Sequence, residues 1–296
     1  MKLKSWLALS AALLTTTVFA QQNFDKVEIK TQKLSDTTYM MIGAGGNLGL
    51  SIGEDAVFLI DDQFAPLTPK IEAAIKALTD KPVKFVINTH WHGDHTGGNT
   101  NLGKAGAMIV AHDNVRKRLS SEQFIAFLQA KEQPTPKPGL PVVSFSQEVT
   151  FHINGDEILA FHVPKAHTDG DTIIHFRKDN VIHMGDNYFN GFYPFIDTSS
   201  GGTPDGVIAA ADRVLSIADD KTRIIPGHGP LSNKAELKVF RDMLATSTMR
   251  IKALAKAGKK LEEVIAAKPT AEFDERWGKG FIPTPRFIEM VYNAVK

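Results

Sequence analysis

Thr89-His90-Trp91-His92-Gly93-Asp94-His95-Thr96-Gly97-Gly98-Asn99 places four metal-ligating side chains, His90, His92, Asp94 and His95, within six residues. Imidazole and carboxylate suit a borderline cation such as zinc. The preceding run, Val83-Lys84-Phe85-Val86-Ile87-Asn88, is short, apolar and β-branched, and reads as a buried strand. Gly93, Gly97 and Gly98 then follow in close order, which puts the ligands on a loop at the strand's C-terminal end. Open α/β sheets carry their chemistry there. A helical zinc motif sets two histidines at i and i+4. His90 and His92 are two apart, so a loop has to turn both side chains inward. A lone histidine is usually a hydrogen-bonded structural residue. Four ligand types in six positions, bracketed by glycine, point to a metal site.

Working outward, the chain reads as alternating strands and helices. Val27 to Ile42 contains a strand over 37–42, and Asn47 to Ile52 with Ala56 to Ile60 reads as a hairpin across Gly53-Glu54-Asp55. Asp61 and Asp62 close that hairpin. Residues 69–78 carry Ile71, Ala74, Ile75 and Leu78 on one helical face. After the ligand loop come a short helix over 99–105, a strand over 107–111 and a helix over 114–131, with Val115, Leu119, Phe124 and Leu128 at helical spacing. This alternation describes an α/β layer with a partly parallel sheet.

Pro134, Pro136, Pro138 and Pro141 exclude regular helix over 132–141. That stretch is either a connection between two halves of the fold, which needs no function of its own, or a loop near the site's rim. The pattern then returns to strands at 151–153, 158–163, 172–176 and 181–184. Thr203-Pro204 starts a helix running to about Ala218, with an N-cap threonine and proline at the first helical position. A last short strand spans 223–226, and a long helix 235–257. The remainder is helical, broken near Pro283 and Pro285, and reads as packing rather than chemistry.

Composition sets the outer bounds. Lys2 and Lys4, an apolar stretch from Trp6 to Leu14, and Val18-Phe19-Ala20 read as a signal peptide over residues 1–20, cleaved after Ala20. A retained N-terminal anchor is the alternative. Residues 21–296 then form one domain, periplasmic or secreted, with no membrane span after signal removal. Lys and Arg total 34 against 33 Asp and Glu; removing Lys2 and Lys4 leaves 32 − 33 = −1. That balance gives no basis for nucleic acid as a partner and points to a small-molecule substrate. Cysteine is absent, so no thiolate is available and the metal site has only nitrogen and oxygen ligands. No 20–50 residue repeat is visible, which argues against solenoids and propellers.

His-x-His-x-Asp-His after a hydrophobic strand resembles the metallo-β-lactamase superfamily signature. The resemblance implies a four-layer αββα sandwich of the α/β class with a one- or two-metal site at one edge. It also implies three further ligands downstream, and the chain supplies His167 in Ala166-His167-Thr168-Asp169, Asp186 in Met184-Gly185-Asp186-Asn187, and His228 in Gly227-His228-Gly229. The resemblance covers about Asp25 to Leu244. It assigns His90, His92 and His167 to one zinc ion, Asp94, His95 and His228 to a second, and Asp186 to the bridge. It gives Asp94 a catalytic role in orienting the attacking hydroxide. It also places a supporting aspartate at 61 or 62, without choosing between them.

The implied reaction is hydrolysis of an amide or ester carbonyl by a periplasmic binuclear zinc-dependent hydrolase, with a β-lactam as one substrate. Two departures count against an efficient β-lactamase, and a lactonase or glyoxalase II-like thioesterase, which the aspartate at 186 resembles, is the alternative. The family's best-known exported β-lactamases have cysteine where this chain has Asp186, and many carry lysine where it has Phe189. A di-iron redox protein on this fold commonly has glutamate at the position of His92, which argues against it. A non-catalytic metal-binding protein is the remaining reading. Aromatic residues crowd 188–195, and of these Tyr188 and Tyr193 are expected to touch substrate. His112, His152, His162, His175 and His183 lie on or beside apolar runs and read as structural or surface residues.

Overall fold

A computed structural model describes residues 23–296. The expected signal segment, residues 1–20, lies outside the described residues. Among the described residues, no helix is long and apolar enough to cross a membrane.

The chain opens with β1 (Lys30–Lys33), β2 (Thr38–Ile42), β3 (Leu48–Ile52) and β4 (Val57–Ile60), then α1 (Thr68–Lys76) and β5 (Val83–Ile87). The ligand loop contains one helical turn, α2 (Gly93–Thr96), followed by α3 (Asn99–Lys104), β6 (Met108–His112) and α4 (Asp113–Leu119). A small hairpin comes next, β7 (Gln123–Ile125) and β8 (Ala130–Glu132), then β9 (Val143–Phe145), β10 (Glu148–Ile153), β11 (Asp156–His162), β12 (Thr172–Phe176) and β13 (Val181–His183). The last part holds α5 (Pro204–Ile217), β14 (Arg223–Ile225), β15 (Ser232–Asn233), α6 (Lys234–Lys256), α7 (Leu261–Ala266), α8 (Ala271–Trp277) and α9 (Thr284–Val295).

Two main sheets result. The first has the order β1-β2-β3-β4-β5-β6-β9, antiparallel through β4 and parallel beyond it. The second runs β10-β11-β12-β13-β14-β15, with β13 and β14 parallel. Side-chain alternation explains how they stack. On β4, Phe58 and Ile60 point to the core between the sheets, while Val57 and Leu59 face the helix layer of α1 and α3. On the second sheet Ile174 and Phe176 meet that same central core, and Ile173 faces the helices α5, α6 and α9. A strand covered on both faces must be apolar throughout, and all four residues of β4 are buried. The layers are therefore helix, sheet, sheet, helix.

One element differs from the sequence expectation. The helix predicted over 114–131 stops at Leu119. The hydroxyls of Ser120 and Ser121 donate to the carbonyls of Arg116 and Lys117, and the amide of Thr135 takes the Leu119 carbonyl. These bonds complete a helix end. The chain beyond becomes the β7–β8 hairpin, where Ile125 is buried and Phe124 exposed. The helical spacing of Phe124 and Leu128 was coincidental.

The topology concentrates strand ends. β4 and β5 run parallel and deliver Asp61 and the His90 loop at one edge. In the second sheet β11, β13 and β14 share a direction, because β12 is antiparallel to both of its neighbours. Their C-terminal ends lead to His167, Asp186 and His228.

Candidate metal centre

The seven expected ligands converge in two adjoining groups, His90, His92, His167 and Asp186, and Asp94, His95 and His228. Asp186 lies between them. Its Oδ2 is 3.8 Å from His90 Nε2 and 3.6 Å from His167 Nε2, and its Oδ1 is 3.1 Å from His95 Nε2 and 3.4 Å from His228 Nε2. Asp94 Oδ2 is 3.3 Å from His228 Nε2.

The remote nitrogens of four of the imidazoles fix which atoms face the centre. His92 donates Nε2–H to Asp197 Oδ2 at 3.1 Å, and His95 donates Nδ1–H to Asp61 Oδ2 at 2.7 Å. His167 donates Nδ1–H to the Phe195 carbonyl at 2.9 Å. Thr89 spends its hydroxyl proton on Asp61, so His90 donates Nδ1–H to the Thr89 oxygen at 3.0 Å. A carbonyl or carboxylate can only accept, so in the neutral form of each ring the other nitrogen carries a lone pair toward the centre. Partners of this kind orient metal-binding imidazoles and raise their basicity.

Two of those lone pairs, on His92 Nδ1 and His167 Nε2, face each other at 2.9 Å. They repel unless a proton or a cation lies against both. His90 Nε2 and Asp186 Oδ1 are buried without a hydrogen bond. Polar atoms so placed are costly unless something else satisfies them. The donor set, five imidazoles and two carboxylates, thus fits divalent metal.

The two groups differ electrostatically. Burial, with the neighbouring imidazoles adding to it, holds His90 well below the usual histidine range, and burial brings His167 down to about 4. Both are therefore neutral and ready to ligate. Burial also works to lower His95 and His228, but Asp186 and Asp94 outweigh it, joined at His95 by Asp61; His95 is raised well above its usual value and His228 to about 9. Burial works to raise Asp94, and the pull of His95 and His228 overrides it, holding the carboxylate at about 2.

Tight local geometry supports the centre. Asp61 and Gln63 are buried in left-handed backbone, at φ of 59° and 54°. Non-glycine residues held there mark strain that the surroundings over-determine. Asp61 holds His95 and the Thr89 amide and hydroxyl, whereas Asp62 accepts from the Gly98 amide. Of the two aspartates the sequence left open, Asp61 is the one against a ligand. Gly46 lies under the His95 ring, where a Cβ would sit 2.1 Å from ring carbon Cε1. Gly227 lies as close to Asp186 Oδ1, also at 2.1 Å.

A cavity of about 470 Å³ opens onto His92, Asp94, Asp186 and His228. Phe64, Phe189, Phe192, Phe195 and Phe281 line it, with Ile125, Leu128 and Glu132 from the β7–β8 region. Phe189 stacks on the His228 ring, with centroids 5.2 Å apart. Tyr188 and Tyr193, expected at the substrate, are absent from this wall. Both are fully buried on the helix side; Tyr188 hydrogen-bonds Ser232, and Tyr193 donates to Asp274 and stacks on Phe287. The aromatic run is real, but its phenylalanines face the cavity and its tyrosines the core.

Sequence reasoning missed Asp197, Glu132 and Phe281. Asp197 follows Ile196 as a single carboxylate with no histidine beside it to flag a ligand cluster. Phe281 comes from the C-terminal stretch read as packing alone. Of the other histidines, His183 is buried and donates to the Asn47 carbonyl, His112 and His162 stack at 3.8 Å, and His152 is exposed. None belongs to either ligand group.

An αββα sandwich carrying a histidine and aspartate cluster at one strand-end edge defines a class of metal-binding proteins. The family model described as metallo-beta-lactamase superfamily matches residues 38–228, and the chain belongs to that family. The chain is 28% identical over 119 residues to a hydroxyacylglutathione hydrolase of Pelagibacter ubique (strain HTCC1062), covering 39% of this chain and 41% of that protein. The chain thus spans less than half the length of that curated relative. In structure it is similar to a metallo-beta-lactamase from Pontibacter korlensis, with a TM-score of 0.61 and 17% identity over 74% of this chain and 99% of that one. It is also similar to the inverting sec-alkylsulfatase Pisa1 from Pseudomonas sp., with a TM-score of 0.67 and 17% identity over 90% of this chain and 50% of that one. At such identity these two likenesses speak for the fold alone.

Proposed function

We propose that the protein is an exported hydrolase that uses two zinc ions to cleave an amide or ester carbonyl. The observation that carries this reading is the convergence of a seven-residue donor set, in which His92 Nδ1 and His167 Nε2 stand 2.9 Å apart. His90, His92 and His167 would hold one cation, Asp94, His95 and His228 the other, with Asp186 between. Bound there, the two cations supply Lewis acidity toward a carbonyl oxygen and a water acidic enough to attack near neutral pH.

The chain's own residues supply the rest. Asp94, with 26% of its side chain exposed, reaches the cavity and stays ionised. Its carboxylate orients the attacking water. Asp197 and Asp61 keep His92 and His95 in the ligating tautomer. The phenylalanine wall binds the acyl portion and excludes water, which strengthens electrostatic interactions at the reacting carbonyl.

Among substrates, a lactone or thioester is favoured over a β-lactam. Asp186 stands at the bridge, Phe189 replaces the lysine that would hold a carboxylate, and the curated relative is named hydroxyacylglutathione hydrolase. The test is elemental analysis of the purified protein, then turnover of a chromogenic β-lactam, a lactone and a thioester. Two zinc ions with lactone or thioester turnover is the expected result. Strong β-lactam turnover would move the substrate class, and fewer than two metals would overturn the division of ligands. Export is tested separately, by the N-terminal sequence of the secreted protein, which is expected to begin at Gln21.

A further inference from the structure

We infer that the pocket accepts an apolar substrate whose polar end is cationic rather than anionic, and that Glu132 makes this choice. The inference rests on the hydrolase reading for its reaction, though not for recognition.

Glu132 ends β8 and stands on the cavity wall beside the ligand loop. Its Oε2 lies 3.9 Å from where a Cβ on Gly93 would be, so the carboxylate stands against the backbone of the ligand loop. Among the described residues its carboxyl makes no hydrogen bond or ion pair. The nearby cations are committed elsewhere. Lys131 reaches Glu122 at 3.1 Å, and Arg118 forks onto Asp169 at 2.7 and 2.8 Å while also donating to Gln123. Among the described residues, no lysine or arginine lines the cavity.

A half-buried carboxylate among phenylalanines is expensive to keep charged when nothing neutralises it. Burial raises its proton affinity accordingly. A substrate ammonium arriving over the hairpin would relieve that cost, and the aromatic faces around it would add a further attraction. A substrate carboxylate in the same place would meet Glu132 and Asp94, with no lysine or arginine on the wall to hold it. The metal centre attracts anionic character at the reacting carbonyl; Glu132 governs the group that lies toward the hairpin. Its position makes it a specificity-determining residue, with no part in bond breaking.

Three p-nitrophenyl esters of equal length test this: hexanoate, 6-(trimethylammonio)hexanoate and the adipate monoester. They are compared on metal-loaded wild type, Glu132→Gln and Glu132→Lys at pH 7.5, with circular dichroism and metal content as controls on folding. Wild type is expected to prefer cationic over neutral over anionic ester. Glu132→Gln should shrink the cationic-to-anionic ratio of kcat/KM by about tenfold, mostly through KM, and Glu132→Lys should reverse it. An unchanged ratio in both variants overturns the inference.

Calorimetric binding of hexyltrimethylammonium beside hexanol separates it from the hydrolase reading. If no ester turns over but ammonium binding weakens in Glu132→Gln while hexanol binding does not, the hydrolase reading fails and the role of Glu132 stands. Equal binding of the ammonium to wild type and Glu132→Gln overturns it.

Discussion

At the scale of single residues, the centre depends as much on what stands behind each ligand as on the ligands. Asp61 is the clearest case, since it holds the His95 ring and pins the Thr89 hydroxyl that in turn fixes His90. Asp61→Ala is expected to weaken metal binding by about 10- to 100-fold, measured by competition with a chromogenic chelator. Affinity equal to wild type would remove Asp61 from this role. Asp94→Asn keeps the size of the side chain but removes the charge that orients water. Activity should fall by about 10²-fold or more, and survival within a factor of about three would show that Asp94 is not the orienting group. The ligands themselves were legible in the sequence because their chemistry is dense and glycine-bracketed. Asp197 was not, because a single carboxylate after an apolar pair looks like any turn residue until His92 is seen against it.

At the scale of elements, strands were more legible than helices. β4 is a short apolar run buried throughout, and β5 is buried at Val86 and Ile87, the end that leads into the ligand loop, while Lys84 is exposed. The stretch after α4 misled because apolar residues three or four apart also occur in a hairpin with one buried and one exposed flank. Contacts between distant elements leave no local signal at all. Asp179, in the turn between β12 and β13, accepts from the hydroxyls of Ser35 and Thr37 before β2 and of Thr38 at its start, and so fastens the two sheets at one end.

Burial acts to raise the Asp179 carboxyl, but these three hydroxyls, with Arg223, bring it below the usual carboxylate range. A depressed folded-state pKa stabilises above the unfolded value of about 4 and stops doing so as pH falls through the folded value. Asp179→Asn should therefore cost about 1 kcal/mol at pH 7 through the lost hydrogen bonds, with a smaller deficit at about pH 3. Chemical denaturation at the two pH values checks this. A deficit independent of pH would mean that the charge is irrelevant.

At the scale of the whole molecule, the C-terminal helices do two separable jobs. Phe287 on α9 is fully buried and stacks on Tyr193 at 4.1 Å, tying the helix layer to the segment behind Asp186. Phe281, only three residues before α9, is 68% exposed and faces the cavity. Phe287→Ala should lower unfolding stability by about 3–5 kcal/mol, read from urea midpoints. Phe281→Ala should leave that midpoint nearly unchanged and raise KM for an apolar ester. The opposite pattern would show that the connection between α8 and α9 is structural and that the cavity ends short of it.

The placement of Phe281 has a consequence for descent. All seven candidate ligands lie between residues 90 and 228, whereas parts of the cavity wall come from a hairpin with no ligand in it and from a connection near the C terminus. Mutations in those two segments can alter what enters without disturbing the residues that hold metal. A duplicated copy of this gene could therefore wander from one diet to another while its chemistry is inherited intact.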